Sequence, residues 1–172
     1  MLALIILCSQ PYSAMADTLP VNSFCPVRVL KNSQSVRVFI WQQNFDGDFD
    51  LAMAPETKSG FSPIVRLSFD RNKEAICHFS EIAVLKGGDW GWHVAWGSTA
   101  RQALMIARVD GDAWVSSLPK KLASSRPDSL QLSERDGLLR LNYHFPYESD
   151  NIKHTITSSD EGRNWDLLDL SQ

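Results

Sequence analysis

The stretch Ser129-Leu130-Gln131-Leu132-Ser133-Glu134-Arg135-Asp136-Gly137-Leu138-Leu139-Arg140-Leu141-Asn142-Tyr143-His144-Phe145 decides the fold. Polar and apolar residues alternate over 129–133 and again over 138–145, on either side of Arg135-Asp136-Gly137. A period of two gives a strand one buried and one wet face, and Asp-Gly between two such runs turns the chain back on itself. The stretch therefore reads as a β-hairpin. Upstream, Val36-Arg37-Val38-Phe39-Ile40-Trp41 and Ile64-Val65-Arg66-Leu67-Ser68-Phe69 alternate in the same way. Further strands are expected over 75–85 (one strand or a pair), 92–96, 103–109 and 152–157, punctuated by Asp46-Gly47, Gly87-Gly88, Asp110-Gly111 and Glu161-Gly162. Helical periodicity is scarce: one turn is expected over 120–125 after Pro119, ended by Pro127. The pattern predicts an all-β domain of antiparallel meanders and hairpins, in a small sandwich or propeller-like arrangement.

At the N-terminus, residues 1–16 predict a cleavable signal peptide. Leu2-Ala3-Leu4-Ile5-Ile6-Leu7 is apolar, Pro11 breaks it, and Ala14-Met15-Ala16 places small residues at −3 and −1 of a cleavage site. The run is far shorter than the roughly 20 apolar residues of a membrane span. No Lys or Arg precedes it, which departs from the usual pattern, and Leu7 before Cys8 does not suit lipidation. A single β-rich domain over 17–172 would remain, with no membrane association after cleavage. The net charge of −3 and the lack of any basic cluster beyond Lys120-Lys121 argue against nucleic acid as a partner. Cys25 and Cys77 remain after cleavage, an even pair suited to an oxidising compartment. They read as a disulfide, with two separate buried thiols as the alternative.

Ser158-Ser159-Asp160-Glu161-Gly162-Arg163-Asn164-Trp165 has the spacing Ser-x-Asp-x-Gly-x-x-Trp. Asp160 can accept bonds from the turn's own backbone, Gly162 permits a positive φ, and Trp165 can pack beneath. This turn resembles the Asp box of sialidases and related β-propellers, and it implies a fold neighbourhood rather than a reaction. A shorter echo is Asp110-Gly111-Asp112-Ala113-Trp114. Sialidases place several arginines on the substrate carboxylate beside a Tyr–Glu pair. Here Tyr143, Tyr147 and Glu148 are available, but Tyr147 and Glu148 adjoin Pro146 in a loop and no arginine set can be assigned.

Other chemistry is thinly supported. Asp46-Gly47-Asp48-Phe49-Asp50 begins like a calcium loop, but the sixth position is Leu51 and the twelfth Thr57, so a solvated hairpin tip is the better reading. His78, His93, His144 and His154 stand singly, without metal-ligand spacing. No metal, cofactor or catalytic residue is expected, and the chain reads as a binding protein rather than an enzyme. Two segments suit binding. Gly87-Gly88-Asp89-Trp90-Gly91-Trp92 sets Trp90 and Trp92 among glycines, either as interface anchors or as core residues. Trp114-Val115-Ser116-Ser117-Leu118-Pro119 is a proline-stiffened loop that either enters a partner's cleft or merely connects strands.

Export, the Asp-box turn, two mature cysteines and the Trp-Val-Ser-Ser-Leu-Pro segment together resemble one family. The chain is similar to the periplasmic immunity proteins that protect bacteria from peptidoglycan amidase effectors of the type VI secretion system. The resemblance implies a β-rich inhibitor that binds its cognate amidase by pushing a loop into a papain-like Cys–His cleft. The positions it implies are Ser116 and Ser117 at the catalytic Cys and His, flanked by Trp114 and Leu118. The acidic balance would aid encounter with a basic amidase. A different class stays open: a small periplasmic glycan-binding module with Trp90 and Trp92 as stacking platforms.

Overall fold

The computed structural model describes residues 25, 27–31, 35–58, 60–87, 91–149 and 152–167. The expected signal peptide at 1–16 and Trp90 lie outside the described residues. Among the described residues every strand pairing is antiparallel, and the strands form three sheets in chain order. The first sheet holds β1 (Arg28–Lys31), β2 (Arg37–Phe45), β3 (Asp48–Thr57) and β4 (Gly60–Phe61), with β5 (Val65–Arg66) also pairing with β3. The second holds β6 (Phe79–Lys86), β7 (Trp92–Ser98), β8 (Ala103–Val109) and β9 (Lys120–Ala123). The third holds β10 (Ser129–Arg135), β11 (Leu138–His144), β12 (His154–Ser158) and β13 (Asp166–Leu167). The all-β expectation holds, and each sheet is a meander.

The second sheet lies between the other two. Alternate residues of β7 and β8 serve different cores. Trp92, Val94, Trp96, Met105 and Val109 join Val38, Ile40, Leu51 and Met53 of the first sheet. Ala95, Leu104 and Ile106 join Leu141, Tyr143, Phe145 and Ile156 of the third. This explains why β7 is buried along its whole length and why β8 reads as a nearly continuous apolar run.

The hairpin read from 129–145 is β10–β11, with Arg135 opposite Leu138. Its two turn residues both take left-handed φ, 54° at Asp136 and 75° at Gly137, the geometry of a type I′ turn. Asp46 and Gly47 turn β2 into β3 in the same way, with φ of 54° and 89°.

Some elements differ from expectation. Residues 120–125 make no helical turn. Lys120 and Lys121 pair with Ile106 and Met105 of β8, so the backbone bonds of a helical turn go to a sheet instead. Residues 64–69 contribute only the short β5, and 75–78 precede β6 as irregular chain. The ten-residue β3 carries no period-two signal, because its buried centre is Ala52, Met53 and Ala54 and it contains Pro55. Proline is tolerated there because its missing N–H falls near the strand's end.

Cys25 and Cys77 form the disulfide, 52 residues apart. Cys25 is buried in the first core, so the bond fastens the chain before β1 to the chain before β6. Such a bond fits an oxidising, non-cytoplasmic compartment. Among the described residues no helix is long and apolar enough to cross a membrane. A loop of this length restrains the unfolded chain by about 4 kcal/mol in the chain-entropy model. The Cys25→Ala/Cys77→Ala double variant is therefore expected to lose roughly 2–5 kcal/mol in urea denaturation, with the β-sheet circular dichroism retained in buffer.

Candidate functional site: a braced loop beside the Asp-box turn

The Asp-box turn and its echo occupy equivalent places, between the third and fourth strands of consecutive sheets. In the box, Asp160 Oδ1 accepts from the Ser158 hydroxyl (2.8 Å) and the Asn164 backbone N–H (2.8 Å), and Oδ2 accepts from the Asn164 amide (2.7 Å). Ser158 Oγ accepts from Gly162 N–H at 2.8 Å. Trp165 packs on the second core and donates its indole N–H to the Gly162 carbonyl at 3.2 Å. Gly162 takes φ +76°, and a Cβ there would sit 3.0 Å from the His93 ring. His93 is buried, donates from Nε2 to the Glu161 carbonyl (3.1 Å), and is held below the usual histidine range chiefly by burial. A carbonyl can only accept, which fixes the Nε2–H tautomer. Thus the box clamps the third sheet onto β7.

In the echo, Asp110 Oδ1 accepts from the N–H groups of Ala113 (2.7 Å) and Asp112 (2.8 Å). Those bonds, Ala113 first, hold the Asp110 carboxyl below its usual range. Trp114 takes a left-handed φ of 54°, donates its N–H to the Asp110 carbonyl at 3.0 Å, and packs half-buried against the first core. The chain then doubles back along β8. Asp110 N–H donates to the Val115 carbonyl (2.9 Å), and Ser117 N–H donates to the Arg108 carbonyl (2.8 Å).

Both loop serines have partners within the chain. Ser116 Oγ donates to the Arg66 carbonyl at 2.6 Å. Ser117 Oγ accepts from the Arg108 backbone N–H at 3.0 Å. A hydroxyl has one hydrogen and two lone pairs, so Ser116 keeps accepting capacity and Ser117 keeps its hydrogen. The side chains that project are Val115 (57% exposed) and Leu118 (77% exposed). Val115, unlike the serines and Leu118, is not among the expected contact residues, and its exposure follows from the loop's path beside β8.

The anchor at Arg66 is itself built. Its guanidinium lies between the rings of Phe45 (5.0 Å) and Phe69 (5.1 Å) and pairs with Asp50 and Asp48. Asp50 is buried and also accepts from Ser68 Oγ (2.9 Å) and Asp70 N–H (2.9 Å). Lys73 takes the other oxygen of Asp48 and lowers that carboxyl's pKa. The 46–50 segment is therefore a solvated tip only at Asp46 and Gly47. Asp48 and Asp50 are held by cations of the chain itself, because β3 carries them back against β5.

Trp92 is not an interface residue or an exposed platform. It is 3% exposed, sits in the first core, and has Lys86 Nζ 5.8 Å from its ring centroid. Glycine neighbours suggested exposure, but both faces of β7 are packed. Tyr143 and Glu148 do not form a nucleophile pair: Tyr143 is buried and stacks on His154, while Glu148 accepts from His154 Nε2 at 2.7 Å. Burial first, then Glu148 and Tyr147, raises the Tyr143 phenol, which disfavours a phenolate. Among the described residues no group of three or more His, Cys, Asp or Glu is placed to hold a metal ion.

No protein-family model matches the chain, and no curated protein matches it. Among solved structures it is similar to a GH43 β-1,3-galactosidase determined with galactodeoxynojirimycin, at TM-score 0.53 and 11% identity, over 88% of this chain and 60% of that one. At this identity the likeness shows the fold alone. The chain spans about three-fifths of the length of the galactosidase structure it matches.

Asp160 gives the site a pH signature. Its hydrogen bonds, the Asn164 N–H foremost, pull the carboxyl from 3.8 down to about 2. A depressed folded pKa contributes stability that is complete above the unfolded value and disappears as pH falls through the folded one. The thermal midpoint should therefore fall between about pH 4 and pH 2. In Asp160→Asn the fall across that window should be shallower, from a lower starting midpoint at pH 7.

Proposed function

We propose that the chain is an immunity protein. It binds and inhibits a peptidoglycan amidase toxin, a type VI secretion effector, by seating the 110–119 loop in the toxin's Cys–His active-site cleft. It acts in the periplasm, delivered there by the signal peptide at 1–16, and needs no catalysis of its own. The observation that carries this reading is the braced loop: hydrogen bonds to β8 and to Arg66 hold it while Leu118 and Val115 stand in solvent. A loop already fixed in shape loses little entropy when it enters a cleft.

Burying a Leu side chain contributes about 1.5–3 kcal/mol, or roughly 10–100-fold in affinity. Leu118 and Val115 would fill apolar space along the cleft. The lone pair left on Ser116 and the hydrogen left on Ser117 suit a donor and an acceptor, the two roles a Cys–His pair presents. The galactosidase-like fold supplies a rigid scaffold for the loop, and folds of this kind host unrelated functions.

The test is peptidoglycan hydrolysis by a purified type VI secretion amidase effector from the same source cell, assayed with and without this protein. Leu118→Asp should weaken inhibition by 10-fold or more with an unchanged thermal midpoint, since the side chain is solvated in the free protein. Ser116→Ala should lower the midpoint by the equivalent of about 1 kcal/mol by orphaning the Arg66 carbonyl, and weaken inhibition through a looser loop. Full inhibition by a chain carrying both Leu118→Asp and Val115→Asp would refute the loop assignment. A wild-type protein that neither binds nor inhibits the amidase would refute the immunity reading itself.

A further inference from the structure

At the far end of the second and third sheets from this loop lies a second, chemically different depression. β8 begins just after Gln102 and ends before the loop, and β9 leaves the loop and ends before Ser125. Seven strand residues, about 20 Å, therefore separate the two regions. The cavity, about 450 Å³, is lined by Glu81, Gln102, Arg126, Asp128, Pro146 and Tyr147, among others. Its volume falls in the range of small-ligand sites.

Its wall is an oriented aromatic face. Tyr147 is 68% exposed, yet its ring stacks on buried Phe145, with centroids 5.3 Å apart and planes 11° from parallel. One face is thus backed and the other offered to solvent. Phe145 is fixed in turn by Tyr143, edge-on at 5.2 Å, and by His154 at 5.4 Å. An exposed phenol side chain free of such backing would turn with solvent. This one is held flat at the cavity's edge.

The polar groups around it are planar and only partly used. Asp128 Oδ1 accepts from His144 Nδ1 at 2.8 Å, which orients the carboxylate and leaves Oδ2 as a further acceptor. Gln102 spends its amide N–H on the Thr99 carbonyl at 2.7 Å, which leaves its side-chain oxygen. Arg126 and Glu81 form no ion pair among the described residues. Gly97 of β7 lies against two lining residues: a Cβ there would crowd the Ser80 hydroxyl and come within 3.2 Å of Pro127 Cδ, so the close approach of the β9–β10 connection to β7 favours glycine.

We propose that this cavity binds an uncharged pyranose ring of a saccharide. The C–H face of a pyranose carries slight positive charge and meets the negative face of an aromatic ring. Vicinal hydroxyls pair with planar carboxylate, amide and guanidinium groups, which accept or donate two bonds at once. Two acids and one arginine leave no excess of positive charge to select an anionic ligand. The site is independent of the 110–119 loop and of the amidase reading.

The probes are N,N′,N″-triacetylchitotriose and cellotriose, titrated into the intact protein and followed by amide and tyrosine NMR shifts. Saturable shifts that centre on Gln102, 125–128 and Tyr147 are expected for at least one of them at millimolar concentrations. Tyr147→Ala should weaken binding 10-fold or more and Tyr147→Phe should retain it, while both variants keep the wild-type thermal midpoint. Absence of saturable shifts with both sugars, shifts centred elsewhere, or equal binding by Tyr147→Ala would each overturn the proposal. If Tyr147→Ala loses stability, Arg126→Ala, at an exposed position, is the deciding variant, with the same 10-fold loss expected and unchanged binding counting against the site.

Discussion

Strands β7 and β8 are packed on both faces, and this two-sided burial is the constraint from which the remaining architecture follows. A four-stranded meander has two broad faces, and covering only one of them leaves little core for a chain of this size. Inserting the second sheet between the first and third makes two cores from one pair of strands. Trp92, Val94 and Trp96 face one, while Ala95, Leu104 and Ile106 face the other. A large-to-small change at Ile106 or Met105 would open a cavity in one core only, yet loosen the shared sheet that aligns both. The connections at both ends of β8 are positioned by that sheet. Their placement is therefore inherited from a packed interior, while the local shape of the 110–114 turn comes from Asp110.

The two aspartate turns show how the same local device serves different ends. Asp110 and Asp160 each collect backbone N–H groups onto one carboxylate. In the Asp box, a serine beneath the turn and Gly162 against His93 draw the third sheet onto the second. The echo has neither. Its tryptophan arrives one residue early, in a left-handed conformation, and the chain beyond runs back along β8 before starting β9. The missing residue thus turns an inter-sheet clamp into the root of a projecting loop.

Legibility in the sequence followed the range of the deciding interactions. The β10–β11 hairpin was readable because alternation and its Asp-Gly turn are local, and so was the Asp box, whose bonds close within eight residues. β3 was not, since Ala52, Met53 and Ala54 are buried on both sides and carry no period-two signal. β9 was hidden for the opposite reason: Lys120-Lys121-Leu122-Ala123 is a short edge whose strand form depends on β8. Within the candidate site, the residue types of the loop were visible. The partner of Ser116 was not, because Arg66 lies 50 residues away. Trp92 misled for a related reason, as its glycine neighbours describe the turn before it and not the sheets that cover it.

Those long-range bonds bear on how the proposed inhibitor would achieve affinity. A loop of small residues ordered only on binding would forfeit about 0.5–1.5 kcal/mol for each rotamer-rich side chain it immobilised, and backbone entropy besides. Here the ordering is done during folding, by β8 on one side and by the Arg66 carbonyl on the other. Arg66 is in turn fixed by Asp50 and two aromatic rings. Because the hydrogen of Ser116 goes to that carbonyl, Ser116 retains only accepting capacity, while Ser117, which accepts from Arg108 N–H, retains its hydrogen. The loop's shape thus depends on bonds to β8 and to the Arg66 carbonyl, and through Arg66 on Asp50, which is remote from the loop in sequence.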